Sequence, residues 1–479
     1  MAAGATSVAL SGDNHIDALL TGVRADTSTL TYGFPTAGST WAGYAAGSEP
    51  FDRFTTLTAE QQQAVTTALA SWASVANLTF TPVSEPGQVA DIRYSGTGQT
   101  STAHTYYPHS SPLGGDVWLG PRMTGAATWQ PGNYEFETAV HETGHALGLK
   151  HPHDSSIGGA VGDATESVEM SVMSYRSYAD APLTETYTVE PGSYPAGPML
   201  DDITAIQYLY GANYATNTDN TVYRFTPDQG VIFRTVWDGG GIDTYDLSAF
   251  GEGVNVNLAP GQWSTFAPGQ LARLNVNDPA VLARGNVANA YLYNDDPRSL
   301  IENVIGSAGS DVVAGNQANN TLYGNQGNDV LAGAEGTDIL FGGQGDDFLN
   351  GNTDNDLLLG NLGADTLRGG QGSDSLYGGQ GGDELWGDLG DDILFGDRGP
   401  DTLIGGGGAD LFVFVPGAGD DTIRDFSFAE GDRIQFATSA YTVGGDAAGA
   451  IVSYDGGTLT LEGIASSSVS RDWFVVPTV

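Results

Sequence analysis

GSAGSDVVA, GNQANNTLY, GNQGNDVLA, GAEGTDILF, GGQGDDFLN, GNTDNDLLL, GNLGADTLR, GGQGSDSLY, GGQGGDELW, GDLGDDILF, GDRGPDTLI and GGGGADLFV are the twelve consecutive nonapeptides from Gly306 to Val413. Gly holds position one of every unit, and position eight is apolar throughout. Asp holds position six of all but one, where Asn320 stands. Gly-rich half-units turn tightly because glycine tolerates positive φ. The three residues after each Asp are expected to form a short strand with its middle side chain pointing inward. Stacked coils of this kind bury one apolar column per face and are expected to expose rows of carboxylates at the turns. Carboxylates stacked that closely repel. A hard divalent cation between turns relieves the repulsion, so the pattern reads as a calcium-binding parallel β-roll. A flexible Gly/Asp linker would have no reason to keep a nine-residue register.

Composition supports a cation-binding chain. The 58 Asp+Glu against 16 Lys+Arg give a net charge of −42, which argues against a nucleic-acid partner. Cys is absent, so disulfides are excluded and stability rests on packing or metals. Met1 to Leu10 has neither a basic residue nor a long apolar core, so no N-terminal signal peptide is expected. No apolar run of about 18 residues exists, and no membrane anchor is expected. The tail from Phe414 to Val479 returns to ordinary composition. Its apolar residues, such as Ile434 and Phe436, suggest strands that close the open end of the stack.

The region before the repeats has a different texture and holds all seven His. Thr58 and Gln61 read as a capping box that opens a helix, with Val65, Leu69, Trp72 and Val75 on its buried stripe. Leu78 to Val83, Ala90 to Tyr94 and Gly114 to Leu119 read as strands. Gly114 to Leu119 is the expected edge strand for an extended substrate. Tyr134 to Leu149 reads as a helix, and Asp201 to Tyr210 as a shorter one opened by Asp201.

Within the first of these helices lies His141-Glu142-Thr143-Gly144-His145-Ala146-Leu147-Gly148-Leu149-Lys150-His151. His141 and His145, at i and i+4, share one helix face. Gly148 breaks the helix and lets the chain bring His151 back as a third nitrogen ligand. Three neutral imidazoles with an open position describe a catalytic zinc site. Glu142 beside them is the expected general base. His15, His104, His109 and His153 are expected to be surface or supporting residues. Further on, Ser171-Val172-Met173-Ser174-Tyr175 has the form of a Met-turn.

With these motifs on the page, the chain resembles the serralysins, metzincin zinc endopeptidases with a calcium-bound β-roll. The resemblance rests on the zinc motif, Ser-Val-Met-Ser-Tyr, the segment Leu200 to Asn213 and the repeats. It implies that Met173 lies beneath the metal, and that Tyr175 is a further zinc ligand which swings away during catalysis to stabilise the oxyanion. It implies calcium at Asp238, Gly240, Gly241, Asp243 and Glu302. In the repeats it implies calcium at Asp311, Asp329, Asp338, Asp347, Asp356, Asp365, Asp374, Asp383, Asp392, Asp401 and Asp410. Asn320 at position six, and Ala318 and Asp354 at position four, depart from the pattern and mark turns of weak calcium binding. The resemblance also implies export by a type I secretion exporter, whose signal the ending Asp472-Trp473-Phe474-Val475 resembles, though Val476 to Val479 extend past it.

The expected fold class is an α+β metzincin catalytic domain followed by an all-β C-terminal domain, a β-sandwich plus parallel β-roll. Residues 1–215 form the protease domain, the first ~20 of them propeptide-like. Residues 216–305 carry sandwich strands and the first calcium sites, 306–413 the repeats, and 414–479 the cap and secretion signal. The expected function is a secreted zinc endopeptidase, with one catalytic zinc and several structural calcium ions. Its expected partners are protein or peptide substrates, a proteinaceous inhibitor and the exporter, and the chain is expected to be a monomer. A non-catalytic calcium-stabilised adhesin or surface-layer protein explains the repeats but leaves the zinc motif, the Met-turn and Tyr175 without purpose. A repeat-bearing lipase lacks its Gly-x-Ser-x-Gly elbow anywhere in the chain.

Overall fold

The computed structural model describes residues 4–126, 128–183, 187–437, 440–447 and 449–475. Five strands form the first sheet: β1 (Thr29–Gly33), β2 (Thr79–Pro82), β3 (Ile92–Gly96), β4 (Ala103–Thr105) and β5 (Asp116–Leu119). Their spatial order is β2-β1-β3-β5-β4, parallel except for the β4–β5 pair. The expected edge strand Gly114 to Leu119 is therefore not at the edge. Gly115, at φ +84°, holds a turn before Asp116, and β5 is hydrogen-bonded on both sides. The edges belong to β2 and β4.

Helix α1 (Ala59–Val75) opens as the sequence suggests. Thr58 Oγ1 accepts from Gln61 N at 3.3 Å, and Gln61 Oε1 accepts from Thr58 N at 3.0 Å. Val65, Leu69, Trp72 and Val75 are buried, and Trp72 Nε1 donates to Val140 O on helix α2 (Tyr134–Leu147). Helix α3 (Leu200–Tyr210) is opened by Asp202 rather than Asp201. Asp202 Oδ2 accepts from Met199 N at 2.9 Å, while Asp201 faces His15. The end of the expected propeptide-like segment packs into the domain core. Leu19 and Leu20 are fully buried, and Leu19 O accepts from Lys150 N inside the zinc motif.

Beyond α3 the chain winds into two 11-stranded sheets stacked face to face. The sandwich expected for 216–305 is continuous with the roll. Strands Val222–Arg224, Thr244–Asp246 and Asn303–Ile305 begin one sheet, and Asn255–Asn257 begins the other. Its other strands make a small three-stranded sheet whose neighbours Phe233, Trp237 and Leu274 join the same core as Trp72 and Met173. Successive repeats alternate between the two large sheets, so ladder partners lie two units apart. Leu322, Leu340, Leu358, Leu376 and Leu394 pair in one sheet. Leu331, Leu349, Leu367, Leu385 and Leu403 pair in the other. All of these position-eight leucines are fully buried between the sheets.

Two expectations for the repeat change. The strands run for six residues, as in Phe348–Thr353, rather than three. Pairing skips the position-one glycine, such as Gly351, and resumes at a left-handed residue at position two, such as Asn352 at φ +80°. Gly, Asn and Asp fill most of these positions because they tolerate that conformation. The position-six carboxylates are also buried, not exposed. Gly342 shows how closely the backbone closes over them: a Cβ there would sit 2.3 Å from Asp347 Oδ2.

Candidate metal centre

Helix α2 is buried on every face from Phe136 to Leu147 and is closed by Gly148, whose φ of +110° reverses the chain. The reversal brings His151 Nε2 to 3.2 Å from His141 Nε2 and 3.1 Å from His145 Nε2. Among the described residues, these three side chains are the one group of His, Asp or Glu whose donor atoms all lie within 4.8 Å of one another. His141 Nδ1 lies 2.7 Å from Val172 O, and His145 Nδ1 lies 2.8 Å from Leu149 O. A carbonyl only accepts, so each Nδ1 carries the hydrogen and each Nε2 presents a lone pair to the cluster. Burial, then the neighbouring imidazoles, pushes His145 down to about 3, and burial pushes His141 down to about 4. Converging neutral imidazoles without a hydrogen between them fit a divalent metal, and zinc in particular.

Glu142 is buried beside the cluster, and Thr105 Oγ1 on the edge strand β4 donates to its Oε2 at 2.6 Å. Burial raises its carboxyl to about 7. Tyr175 is 42% exposed. Its ring lies 4.2 Å from the His151 ring and stacks on His141 at 5.7 Å. Met173 is fully buried under α2, where a Cβ on Gly144 would meet its Sδ at 2.6 Å.

Several supporting residues were not legible in the motif. Asp202 accepts from Ser171 Oγ at 2.6 Å and from Val172 N at 2.7 Å, tying the Met-turn to α3. Since Val172 O holds His141, this carboxylate orients a metal ligand through one intervening turn. His153, expected only as a supporting residue, stacks on His151 at 5.2 Å and bonds Glu166 at 2.9 Å. Glu166 also accepts from Ser174 Oγ and Arg176 Nε. His15 and His104 pair with Asp201 and Glu49, away from the cluster, and His109 Nδ1 accepts from Ser111 N.

The expected calcium positions fall into two settings. Asp238, Asp243 and Glu302 meet around one turn. Glu302 Oε2 accepts from Asp243 N at 2.7 Å, while Gly240 and Gly241 pass through positive φ. Asp243 Oδ2 is buried without a partner among the described residues. In the repeats the carboxylates form two columns. One runs Asp311, Asp329, Asp347, Asp365, Asp383, Asp401, and the other runs Asn320, Asp338, Asp356, Asp374, Asp392, Asp410. Each residue's N–H donates to Oδ1 of the next, as from Asp329 to Asp347 at 2.8 Å. The Oδ2 atoms of Asp329 and of every position-six Asp from Asp338 to Asp410 are buried without a partner among the described residues. Such a row of orphaned oxygens fits bound cations. Burial is the first cause that raises these carboxyls, with neighbouring carboxylates second to it, reaching about 8 at Asp356 and Asp401.

Asp311 differs from its column. Its Oδ2 accepts from Ser307 N at 2.6 Å, and its Oδ1 from Ser307 Oγ and Val254 N. Both columns continue past Val413 to residues the nine-residue period does not reach. Asp421 accepts from Asp401 N, and Asp432 accepts from Asp410 N. The spacings there are 20 and 22 residues, so the register is lost while the stacking persists.

Comparison with known proteins agrees with this architecture. Residues 51–158 match the family model described as matrixin. Segments between 305 and 423 match that of the RTX calcium-binding nonapeptide repeat. The chain is 35% identical over 312 residues to serralysin B of Dickeya chrysanthemi, covering 60% of this chain and 58% of that protein. It is 34% identical over 308 residues to metallopeptidase AprA of Pseudomonas marginalis, covering 60% of each. Serralysin of Proteus mirabilis is 32% identical over 323 residues, covering 60% of this chain and 59% of that protein. The chain thus spans about three fifths of the length of the curated relatives it matches. A matrixin-type domain followed by RTX repeats is the serralysin-type arrangement.

Proposed function

We propose that the chain is a secreted zinc endopeptidase whose β-roll is held together by calcium. The observation that carries this reading is the convergence of three Nε2 lone pairs beside a buried carboxylate, next to an open strand edge. His141, His145 and His151 would hold zinc, with Tyr175 as a further ligand at rest. When bound, the ion supplies Lewis acidity toward the scissile carbonyl and the attacking water. The free edge of β4 offers main-chain groups to an extended peptide by strand addition. Glu142, raised to about 7, takes a proton from the attacking water and delivers it to the leaving amine. Thr105 fixes which way that carboxylate faces. Tyr175, whose phenol is held above its ordinary value chiefly by burial, stays protonated and donates to the developing oxyanion.

The division of the chain at about 215, 305 and 413 belongs to this reading, as do a monomeric state, an inhibitor partner and type I export. Support for export is the family likeness and the tail segment. Phe474 pairs with Ile434 at the end of the roll, and Val476 to Val479 lie outside the described residues. No described helix is long and apolar enough to cross a membrane. The test is Glu142→Ala. Because Glu142 is not a ligand, zinc content by mass spectrometry should stay at that of the wild type while casein hydrolysis falls at least ~10²-fold. His151→Ala should lower the zinc content itself. Near-normal hydrolysis by zinc-loaded Glu142→Ala would remove the base from the mechanism.

A further inference from the structure

Glu137 lies one helical turn, about 5.4 Å, before His141 on α2. It is only 1% exposed, and its Oε1 has no hydrogen-bond partner among the described residues. It pairs with no Lys, Arg or His among them either. A carboxyl buried without a partner is costly and calls for explanation. Nothing in the proposed mechanism uses it.

The space it faces supplies an explanation. Glu137, His141 and Glu142 line one cavity of about 330 Å³, with Ala103 of the open edge strand on its wall. Three tyrosines supply much of the remaining wall, with Thr102, Thr138 and Leu183 beside them. Tyr134, Tyr175 and Tyr187 line it, with the Tyr134 and Tyr187 rings 6.1 Å apart and those of Tyr175 and Tyr187 also 6.1 Å apart. Arg122 at the exposed mouth already lays its guanidinium 4.9 Å from the Tyr134 ring, so these faces accept a planar cation. Arg122 itself makes no ion pair among the described residues. The charges around the cavity are unbalanced: Glu137, Glu142 and Asp202 are buried acids, and Arg122 is exposed to solvent. Burial and the two neighbouring acids hold the Glu137 carboxyl well above the usual range while the cavity is empty.

Resting on the endopeptidase reading of the same site, we infer that Glu137 makes this cavity select substrates with an arginine or lysine beside the scissile bond. A peptide paired to β4 places its backbone at the histidine cluster. Only a long side chain spans the further helical turn to Glu137. Such a side chain brings a donor to the Glu137 carboxyl, a charge that ionises it, and a stem that packs on the tyrosine faces.

The test uses the full-length enzyme loaded with zinc and calcium, and internally quenched peptides that differ only in the residues flanking the scissile bond. Arg, Lys, Leu and Glu are compared at each flanking position. At one of them the wild type should show kcat/KM for Arg above that for Leu by roughly 10- to 100-fold, the scale of one hydrogen bond to a charged group. In Glu137→Gln, of nearly the same shape, that ratio should collapse toward one, with the change in the Arg peptide carried by KM. A wild type that prefers Leu or Glu at both positions overturns the inference without need of the variant. An Arg-to-Leu ratio that survives in Glu137→Gln overturns it as well. If zinc-loaded wild type cleaves none of the peptides or casein, the endopeptidase reading falls and takes the inference with it.

Discussion

Tyr175 and Glu142 show how two side chains beside one cluster acquire different tasks from their surroundings. Glu142 is buried and held by Thr105, whereas Tyr175 is 42% exposed and held by ring contacts alone. Tyr175→Phe keeps those ring contacts and removes the hydroxyl, and with it both the proposed resting ligand and the oxyanion donor. It should lower kcat by roughly 10–10³-fold with little change in KM, the range for one lost oxyanion donor. An unaltered kcat in zinc-loaded Tyr175→Phe would reduce the residue to packing. The histidine cluster and the carboxylate beside it were legible because they sit within eleven consecutive residues whose spacing has a direct helical meaning. Asp202 was not legible in this way. Its partners Ser171, Val172 and Met199 are brought to it by tertiary packing, and the same local signal fits Asp201, which faces His15 instead.

At the scale of the element, each carboxylate column is a stack whose interior Oδ2 atoms lack partners among the described residues and whose end residues have them. Asp311 at the head of one column has both oxygens filled by Ser307 and Val254. Asn320 heads the other, and its Nδ2 donates to Glu302 O at 2.8 Å. At the far ends, Asp421 Oδ2 accepts from Tyr454 Oη at 3.2 Å and Asp432 Oδ2 from Ser427 N at 2.7 Å. The departure at Asn320 is therefore a terminus in which an amide hydrogen stands where a cation would otherwise be needed. Asn320→Asp turns that donor into an acceptor facing a carbonyl, an uncompensated buried pair. Its thermal midpoint in chelator should fall by several degrees, on the scale of a ~1–3 kcal/mol loss. In saturating calcium the loss should be smaller. An equal loss in both conditions would mean that the turn cannot accept an ion. The period made the repeats readable, but burial of the carboxylates was not, because it depends on how closely glycines such as Gly342 let neighbouring coils approach.

For the whole molecule, the partnerless column carboxylates lead to the expectation that folding depends on calcium and protons together. Position-six carboxyls from Asp329 to Asp410 lie between about 6 and about 8 in the folded chain without the ion, raised first by burial. Their ordinary value is 3.8. Between these limits the folded chain binds more protons than the unfolded one, so stability without calcium falls as pH rises through the window. Below it the columns are neutral and do not repel, and above it the ionised columns need the cation. Calcium binds the ionised form, so its contribution grows over the same range. The proposed secretion gives this a use. Where calcium is scarce and pH near neutral, the roll lacks both means of closing, and millimolar calcium supplies one. The measurement is thermal unfolding of full-length Glu142→Ala, which cannot digest itself, followed by circular dichroism in chelator and in calcium. The calcium-induced rise in midpoint should be small near about pH 5 and grow steadily to about pH 8. A rise of equal size at every pH, or one larger in acid, would show that these buried carboxylates do not govern folding of the roll.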